Sequence, residues 1–122
     1  MCRMIPYKEG RYVAEIKLPH IENISEQAKK TENIRRNVLF RSSLEERCTD
    51  RSDIDIAVFG TKSKGSYIDS REFKSFKKGL FQFDWDQDYD VLYFSENRKN
   101  TGDIMTDISK GVEIYGRADY RN

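Results

Sequence analysis

Cysteine, proline and histidine are scarce in this sequence: its 122 residues include two cysteines, two prolines and one histidine. Cys2 and Cys48 are far apart in the sequence, and this spacing is typical neither of a disulfide-stapled scaffold nor of a zinc site built on paired cysteines. His20 lies outside every motif described below, so we expect a surface position for it rather than a catalytic one. The composition therefore gives no indication of a zinc protein.

Long apolar runs and an excess of charge of one sign are also missing. No stretch approaches the roughly 20 apolar residues that span a bilayer, and the N-terminus has no apolar signal core. We therefore expect a cytoplasmic protein without a membrane segment. Charged residues make up 35% of the chain, yet the net charge is +1 and no basic block occurs. The sequence gives no direct evidence for nucleic-acid binding.

The hydrophobic share is low, at 37%, although the 12% of aromatic residues can bury large surfaces. A chain of this length suits one domain with a modest core. The first residues are the least readable part of the sequence. We therefore divide the chain into an N-terminal extension at residues 1–20 and a domain at residues 21–118.

The most informative pattern lies in residues 37–60. A short apolar strand at 38–40 is followed by a polar loop and then by a second apolar strand at 54–59. Alternate residues of an extended chain point to the same face. The carboxylates of Asp53 and Asp55 should therefore project side by side, while Ile54 points toward a core.

Two carboxylates on one rigid strand raise each other's pKa unless a cation compensates them. A hard divalent cation bound through oxygen atoms, above all Mg²⁺, is the usual partner. The D-x-D spacing of Asp53 and Asp55 is equally compatible with two solvated carboxylates at the start of a strand. A longer pattern is needed to decide between these two interpretations.

Such a pattern surrounds the two acids. It consists of Leu39, Phe40, Ser42, Ser52, Asp53, Ile54, Asp55, Ile56, Ala57, Val58 and Phe59. This pattern, in which 11 positions separate Ser42 from Asp53, resembles the minimal nucleotidyltransferases of the DNA polymerase beta-like superfamily. It is far more specific than a D-x-D motif alone.

The resemblance implies an α/β (α+β) nucleotidyltransferase fold, with a mixed sheet of about four or five strands and helices mainly on one face. It also implies transfer of a nucleoside monophosphate from ATP or another nucleoside triphosphate to an acceptor hydroxyl. Asp53, Asp55 and Asp90 would be the catalytic carboxylates and would bind Mg²⁺ or Mn²⁺. Asp88, which shares a face with Asp90, is the alternative third acid.

The resemblance further implies that Ser42 and Ser43, with neighbouring backbone amides, contact the phosphates of the nucleotide. Minimal members of the superfamily commonly work beside a separate helical (HEPN-like) protein, often as the antitoxin that modifies its toxin. The expected partners are thus a nucleotide and such a helical protein.

Three residues depart from the pattern of the superfamily. Arg41 stands where a glycine is usual, and Glu45 and Glu46 stand where an arginine and a glycine are usual. Arg41 would narrow the phosphate site, although its guanidinium can also pair with phosphate oxygens and makes it a candidate nucleotide ligand. The departures predict impaired activity or, alternatively, a catalytically silent binding module that keeps the fold.

Other elements follow from local patterns. The predicted elements are a strand at 11–18 (a helix being the alternative), a helix at 25–30 capped by Ser25, a helix at 70–78, a strand at 91–94, a helix at 103–110 and a strand at 112–115. The short connection between strands 38–40 and 54–59 predicts an antiparallel pair, and the helix after them predicts a parallel crossover. Ser42, Asp53, Asp55 and Asp90 should therefore converge at one edge of the sheet.

Overall fold

The structure is a computed structural model and describes residues 2–117. The strands are β1 (Met4–Lys8), β2 (Arg11–Ala14), β3 (Ile34–Phe40), β4 (Ile54–Gly60), β5 (Tyr89–Ser95) and β6 (Val112–Gly116). The α-helices are α1 (Leu18–Lys29), α2 (Lys64–Tyr67), α3 (Arg71–Phe83) and α4 (Asp103–Ser109). Short 3-10 turns occupy Glu15–Lys17 and Arg41–Leu44.

The main sheet has four strands in the order β5-β4-β3-β6. Strand β3 is antiparallel to both β4 and β6, whereas β4 and β5 are parallel. The predicted antiparallel pair and the predicted parallel crossover are thus confirmed. This topology brings the end of β3 and the beginnings of β4 and β5 to one edge of the sheet.

The two faces of the sheet are covered unequally. Ile54, Ile56 and Val58 of β4 point into the larger core, which α1, α2 and α3 cover together with the β1–β2 hairpin. Ala57 and Phe59 point to the opposite face, where α4 contributes Ile108. The prediction of helices mainly on one face of a mixed sheet is therefore confirmed, and β4 is buried on both sides.

The beginning of α1 corrects two predictions. Strand β2 ends at Ala14 rather than at residue 18, and α1 begins at Leu18 with Pro19 in its first turn. Proline is well suited to this position, because the first amides of a helix have no partner within it. Ser25 is not an N-cap; it lies inside α1, and its Oγ donates to the carbonyl oxygen of Ile114 at 2.8 Å.

Helix α3 is longer than predicted. Gly79 was expected to end the helix, but α3 continues to Phe83. A Cβ atom at Gly79 would collide with the side chain of Gln27 on α1. The glycine therefore leaves room for the Gln27 side chain between α1 and α3, and Asn23 donates to its carbonyl oxygen at 3.2 Å.

The hairpin β1–β2 continues directly into α1 and the larger core. Val13 and Ala14 are fully buried, and α1 crosses the predicted boundary between residues 20 and 21. The division into an extension and a domain stays a prediction, and residue 118, its predicted end, lies outside the described residues. Within residues 2–117, every helix is too short or too polar to cross a membrane.

Candidate active site

The three predicted carboxylates lie at the edge where β3 ends and β4 and β5 begin. Asp55 pairs with Phe40 across the antiparallel ladder and with Asp90 across the parallel ladder. The carboxyl groups of Asp55 and Asp90 are within hydrogen-bond range of each other. Asp53 precedes β4 and acts electrostatically on Asp55. The fold thus gathers the predicted acids, whose functional roles stay a prediction.

Asp55 is the buried member of this group, with 8% of its surface exposed, whereas Asp53 and Asp90 are exposed. The pKa of Asp55 is raised to about 6: burial is the largest cause, Arg41 opposes the shift, and the charges of Asp90 and Asp53 add to it. A hydrogen bond to Asp90 also favours the protonated form. The edge of the sheet therefore carries negative charge that the side chains only partly compensate.

Asp88, the alternative third acid, makes its hydrogen bonds through its backbone carbonyl oxygen rather than through its carboxylate. Its carbonyl oxygen accepts the amide of Ile54 at 3.0 Å and the side-chain amide of Gln87 at 2.7 Å. It precedes β5, which begins at Tyr89. The residue that faces Asp55 across the ladder is therefore Asp90 and not Asp88.

Arg41 adopts the backbone conformation for which glycine is suited. Its φ is 62°, in the left-handed region that costs a side-chain-bearing residue about 1–2 kcal/mol. The guanidinium lies above the ring of Phe40, with its Nη1 3.9 Å from Oδ1 of Asp55. Arg41 thus occupies a backbone conformation that favours glycine, and its cation reaches Asp55.

Asp107 of α4 is a residue of this site that the sequence did not reveal. Its Oδ2 lies 3.4 Å from Nε of Arg41, so the guanidinium pairs with Asp107 as well as with Asp55. The amphipathic pattern of residues 103–110 predicted the helix correctly. It contained no signal that Asp107 would meet a residue at the end of β3.

The predicted phosphate-binding serines are engaged within the protein. Ser42 Oγ donates to the carbonyl oxygen of Asp53 at 2.9 Å, which joins the end of β3 to the start of β4. Ser43 is fully buried, and its Oγ has no hydrogen-bond partner among residues 2–117. Either hydroxyl would have to leave its present position to reach a phosphate, whereas Arg41 in the same turn is exposed.

Glu45 and Glu46 add less negative charge to the nucleotide site than the sequence suggests. Glu45 forms an ion pair with Arg47, with Oε2 and Nε 3.0 Å apart, and Glu46 is exposed to solvent. Exposed charges are strongly screened. Of the three residues that depart from the superfamily pattern, Arg41 therefore affects the site most directly.

Lys17 is a second residue that sequence reasoning missed. It is 1% exposed, and its ammonium donates to the carbonyl oxygens of Asp50 and Ser52 at 3.3 and 2.7 Å. It also donates to Oε1 of Gln87 at 2.6 Å. Lys17 thus connects the loop before β4 with the loop before β5. Burial lowers the pKa of this ammonium, and nearby thiols and carboxylates oppose the shift.

The donor chemistry of the edge fits a hard divalent cation. The carboxylate oxygens of Asp53, Asp55 and Asp90 are the ligands that such ions prefer. Within residues 2–117, no three acidic, histidine or cysteine side chains are already gathered around one point. Asp55 and Asp90 are paired across the parallel strands, and the exposed Asp53 carboxylate is the third candidate ligand.

A mixed sheet with acids at the shared edge of β4 and β5, reached from the end of β3, defines a nucleotidyltransferase-type domain. The sequence comparison agrees: the family model for Polymerase beta, Nucleotidyltransferase, matches residues 22–119, and the chain belongs to that family. A comparison with curated proteins finds no match to the chain.

Proposed function

We propose that the protein is a divalent-cation-dependent nucleotidyltransferase that moves a nucleoside monophosphate from ATP or a similar nucleoside triphosphate to an acceptor hydroxyl. The observation that carries the proposal is the pairing of Asp55 with Asp90 at the starts of two parallel strands. Asp55 is buried there, and two further carboxylates act on it. An arrangement of this kind is costly unless it binds a cation.

Asp53, Asp55 and Asp90 would hold Mg²⁺ or Mn²⁺. A bound divalent cation neutralises phosphate charge and lowers the pKa of a coordinated hydroxyl. Asp90 is exposed and adjacent to Asp55, so its carboxylate orients the acceptor hydroxyl and takes its proton. Asp55 is buried and fixed in β4, so it sets the position of the reacting phosphate relative to Asp90.

The triphosphate lies against the turn at 41–44 in this proposal. Arg41 is nearly half exposed, so its guanidinium can move from Asp55 to a phosphate oxygen. The carbonyl contact of Ser42 with Asp53 and the three hydrogen bonds of Lys17 keep the loop before β4 in place. These contacts preserve the geometry on which transfer depends.

The acceptor is a hydroxyl of a separate helical (HEPN-like) protein, with this chain as its antitoxin. Exposed aromatic side chains support a protein partner: Trp85 is 73% exposed and Phe83 is 48% exposed. Both lie in the segment that leads to β5 and Asp90. Exposed aromatic residues are enriched at protein interfaces.

A second function, a catalytically silent binding module, is favoured by one observation. Arg41 already places a positive charge 3.9 Å from Asp55, where a metal ion would otherwise compensate the carboxylate. A guanidinium that stays there replaces the ion. The two candidates differ in whether the protein binds nucleotide together with a divalent cation.

Isothermal titration with ATP and Mg²⁺ tests this difference. We expect ATP binding that requires Mg²⁺ and is lost in Asp55→Asn but kept in Asp69→Asn, a matched control at an exposed position between α2 and α3. Transfer is then followed from labelled ATP to a helical protein encoded beside this chain. Absence of Mg²⁺-dependent ATP binding in the wild-type protein would favour the silent module.

A further inference from the structure

The two cysteines lie against each other although 46 positions separate them in the chain. The Cys2 thiol donates to the carbonyl oxygen of Cys48 and acts electrostatically on the Cys48 thiol. The backbone amide of Cys2 also donates to the carbonyl oxygen of Glu46 at 2.7 Å. Both thiols are free. Two contacts thus hold Cys2 beside the loop that contains Cys48.

The environments of the two thiols differ. Cys2 is half-buried, and with Cys48 it lines a surface cavity of about 460 Å³. Cys48 is 1% exposed, and burial raises the pKa of its thiol. Thiolates, not thiols, attack disulfides. A soluble reagent entering the cavity therefore meets the more accessible Cys2 first.

We propose that Cys2 and Cys48 form a redox modification site for low-molecular-weight disulfides such as glutathione disulfide. The Cys2 thiolate attacks one sulfur of the reagent, whose S–S bond breaks and releases one thiolate. The Cys48 thiolate then attacks the Cys2 sulfur of the mixed disulfide and releases the second. The protein thiols lose two electrons to the reagent, and their two protons end on the two released thiols.

The proposed bond would link the segment before β1 to the loop before β4. Cys48 lies in that loop shortly before Asp53, and Lys17 holds the carbonyl oxygens of Asp50 and Ser52 in the same loop. Oxidation removes the hydrogen bond from Cys2 to the Cys48 carbonyl and draws the Cys48 sulfur toward β1. We expect this to displace the loop and to weaken cation binding, a consequence that rests on the proposed function.

Intact-mass measurement tests the disulfide independently of activity. The native full-length chain is treated with glutathione disulfide, its remaining thiols are alkylated after unfolding, and the mass is read. We expect the wild-type protein to lose two hydrogens and to retain neither glutathione nor alkyl groups. Cys48→Ala should keep one glutathionyl group on Cys2, whereas Cys2→Ser should stay reduced at Cys48.

Two results would overturn the site: a wild-type protein that keeps glutathione on Cys2, or one whose thiols both stay free. A Cys2→Ser variant that reacts as fast as the wild-type protein would overturn the order of attack. Circular dichroism of each variant confirms that the fold is retained.

The regulatory consequence is measured separately. The reagent is removed by gel filtration, and Mn²⁺ affinity is compared between oxidised and reduced wild-type protein, with identically treated Cys2→Ser as the control. We expect a several-fold loss of affinity on oxidation of the wild-type protein only. Equal Mn²⁺ affinities of the oxidised and reduced wild-type protein would overturn the proposed regulation but not the proposed disulfide. If no form binds Mn²⁺, the proposed function fails, while the mass measurements still decide the thiol pair.

Discussion

Arg41 contacts Asp55 from a left-handed backbone conformation, with Nη1 and Oδ1 3.9 Å apart and φ at 62°. The left-handed conformation is unfavourable for arginine, yet here it places the guanidinium beside Asp55, the buried carboxylate of the site. Asp107 holds the same guanidinium at 3.4 Å. The chain therefore supplies part of the positive charge that the acids require.

Replacing Arg41 with glycine should strengthen metal and nucleotide binding. The change relieves the backbone and removes a cation that competes with a metal ion for Asp55. We expect Mn²⁺ affinity to rise about tenfold, or ~1.4 kcal/mol, well below the gross Coulomb energy because Arg41 is nearly half exposed. ATP affinity and transfer rate should rise with it, because we expect the steric effect of the side chain on the phosphate site to outweigh any contact of its guanidinium with a phosphate oxygen.

Arg98→Gly, an exposed charge change in the loop after β5, is the control for Arg41→Gly. Calorimetric titration of both variants with Mn²⁺ and with ATP provides the comparison. Weaker ATP binding by Arg41→Gly would show that the guanidinium is a phosphate ligand and that its steric effect is secondary.

Asp55 should make the stability of the metal-free protein depend on pH. Its folded-state pKa of about 6 lies above the ordinary value of 3.8, so the folded protein binds this proton more tightly than the unfolded chain. Stability contributed by the protonated form is therefore lost as the pH rises from about 4 to about 6, by at most about 3 kcal/mol. Asp55→Asn should remove this loss and be the more stable protein near neutral pH.

Urea unfolding of wild-type, Asp55→Asn and Asp69→Asn proteins across this pH range measures the effect. The control should follow the wild-type protein. Parallel pH profiles for wild-type and Asp55→Asn proteins would mean that Asp55 ionises in the folded state as easily as in the unfolded chain.

Comparison of Asp90→Asn with Asp88→Asn tests which of the two residues is the third catalytic acid. Asp90→Asn should lower the rate of transfer by about 100-fold or more, the usual effect of removing a general base, with a smaller loss of ATP affinity than in Asp55→Asn. Asp88→Asn should have a small effect, because the backbone carbonyl rather than the carboxylate of Asp88 is engaged. Rate measurements at saturating ATP decide the matter, and the opposite ranking would assign the role to Asp88.

Lys17 should be essential to stability. Lys17→Met removes a donor from two buried carbonyl oxygens and from Gln87, so we expect a loss of about 2–4 kcal/mol in the free energy of unfolding. Lys30→Met, at an exposed position after α1, should change it by less than about 0.5 kcal/mol. Urea unfolding measures both, and equal effects of the two variants would contradict the importance of the buried ammonium.

Much of the sheet and its acidic edge could be predicted from the sequence. The fully buried β4 has an apolar sequence, and the alternation of Asp53, Ile54 and Asp55 fixes which side chains share a face. The connection lengths then determine the strand directions, so the approach of Asp90 to Asp55 follows from topology. These features depend on local periodicity and on short connections.

The remaining contacts of the site could not be predicted, because they join residues with no common local pattern. Lys17 reads as an ordinary charged residue before a proline, and only the folded chain shows that it is buried between two loops. Pro19 was interpreted as the end of a strand, although the same residue is equally suited to the first turn of a helix. The positive φ of Arg41 is likewise set by the turn at 41–44 and not by the residue itself.

The position of Lys17 has a consequence for where the working unit begins. The segment that matches the family starts at residue 22, after the lysine whose ammonium joins the loops on both sides of the acids. The matched segment and the contacts that hold the loops of the site thus have different limits in this chain. A fragment limited to residues 22–119 would keep Asp53, Asp55 and Asp90. It would lose the hydrogen bonds of Lys17 that join the loop before β4 to the loop before β5.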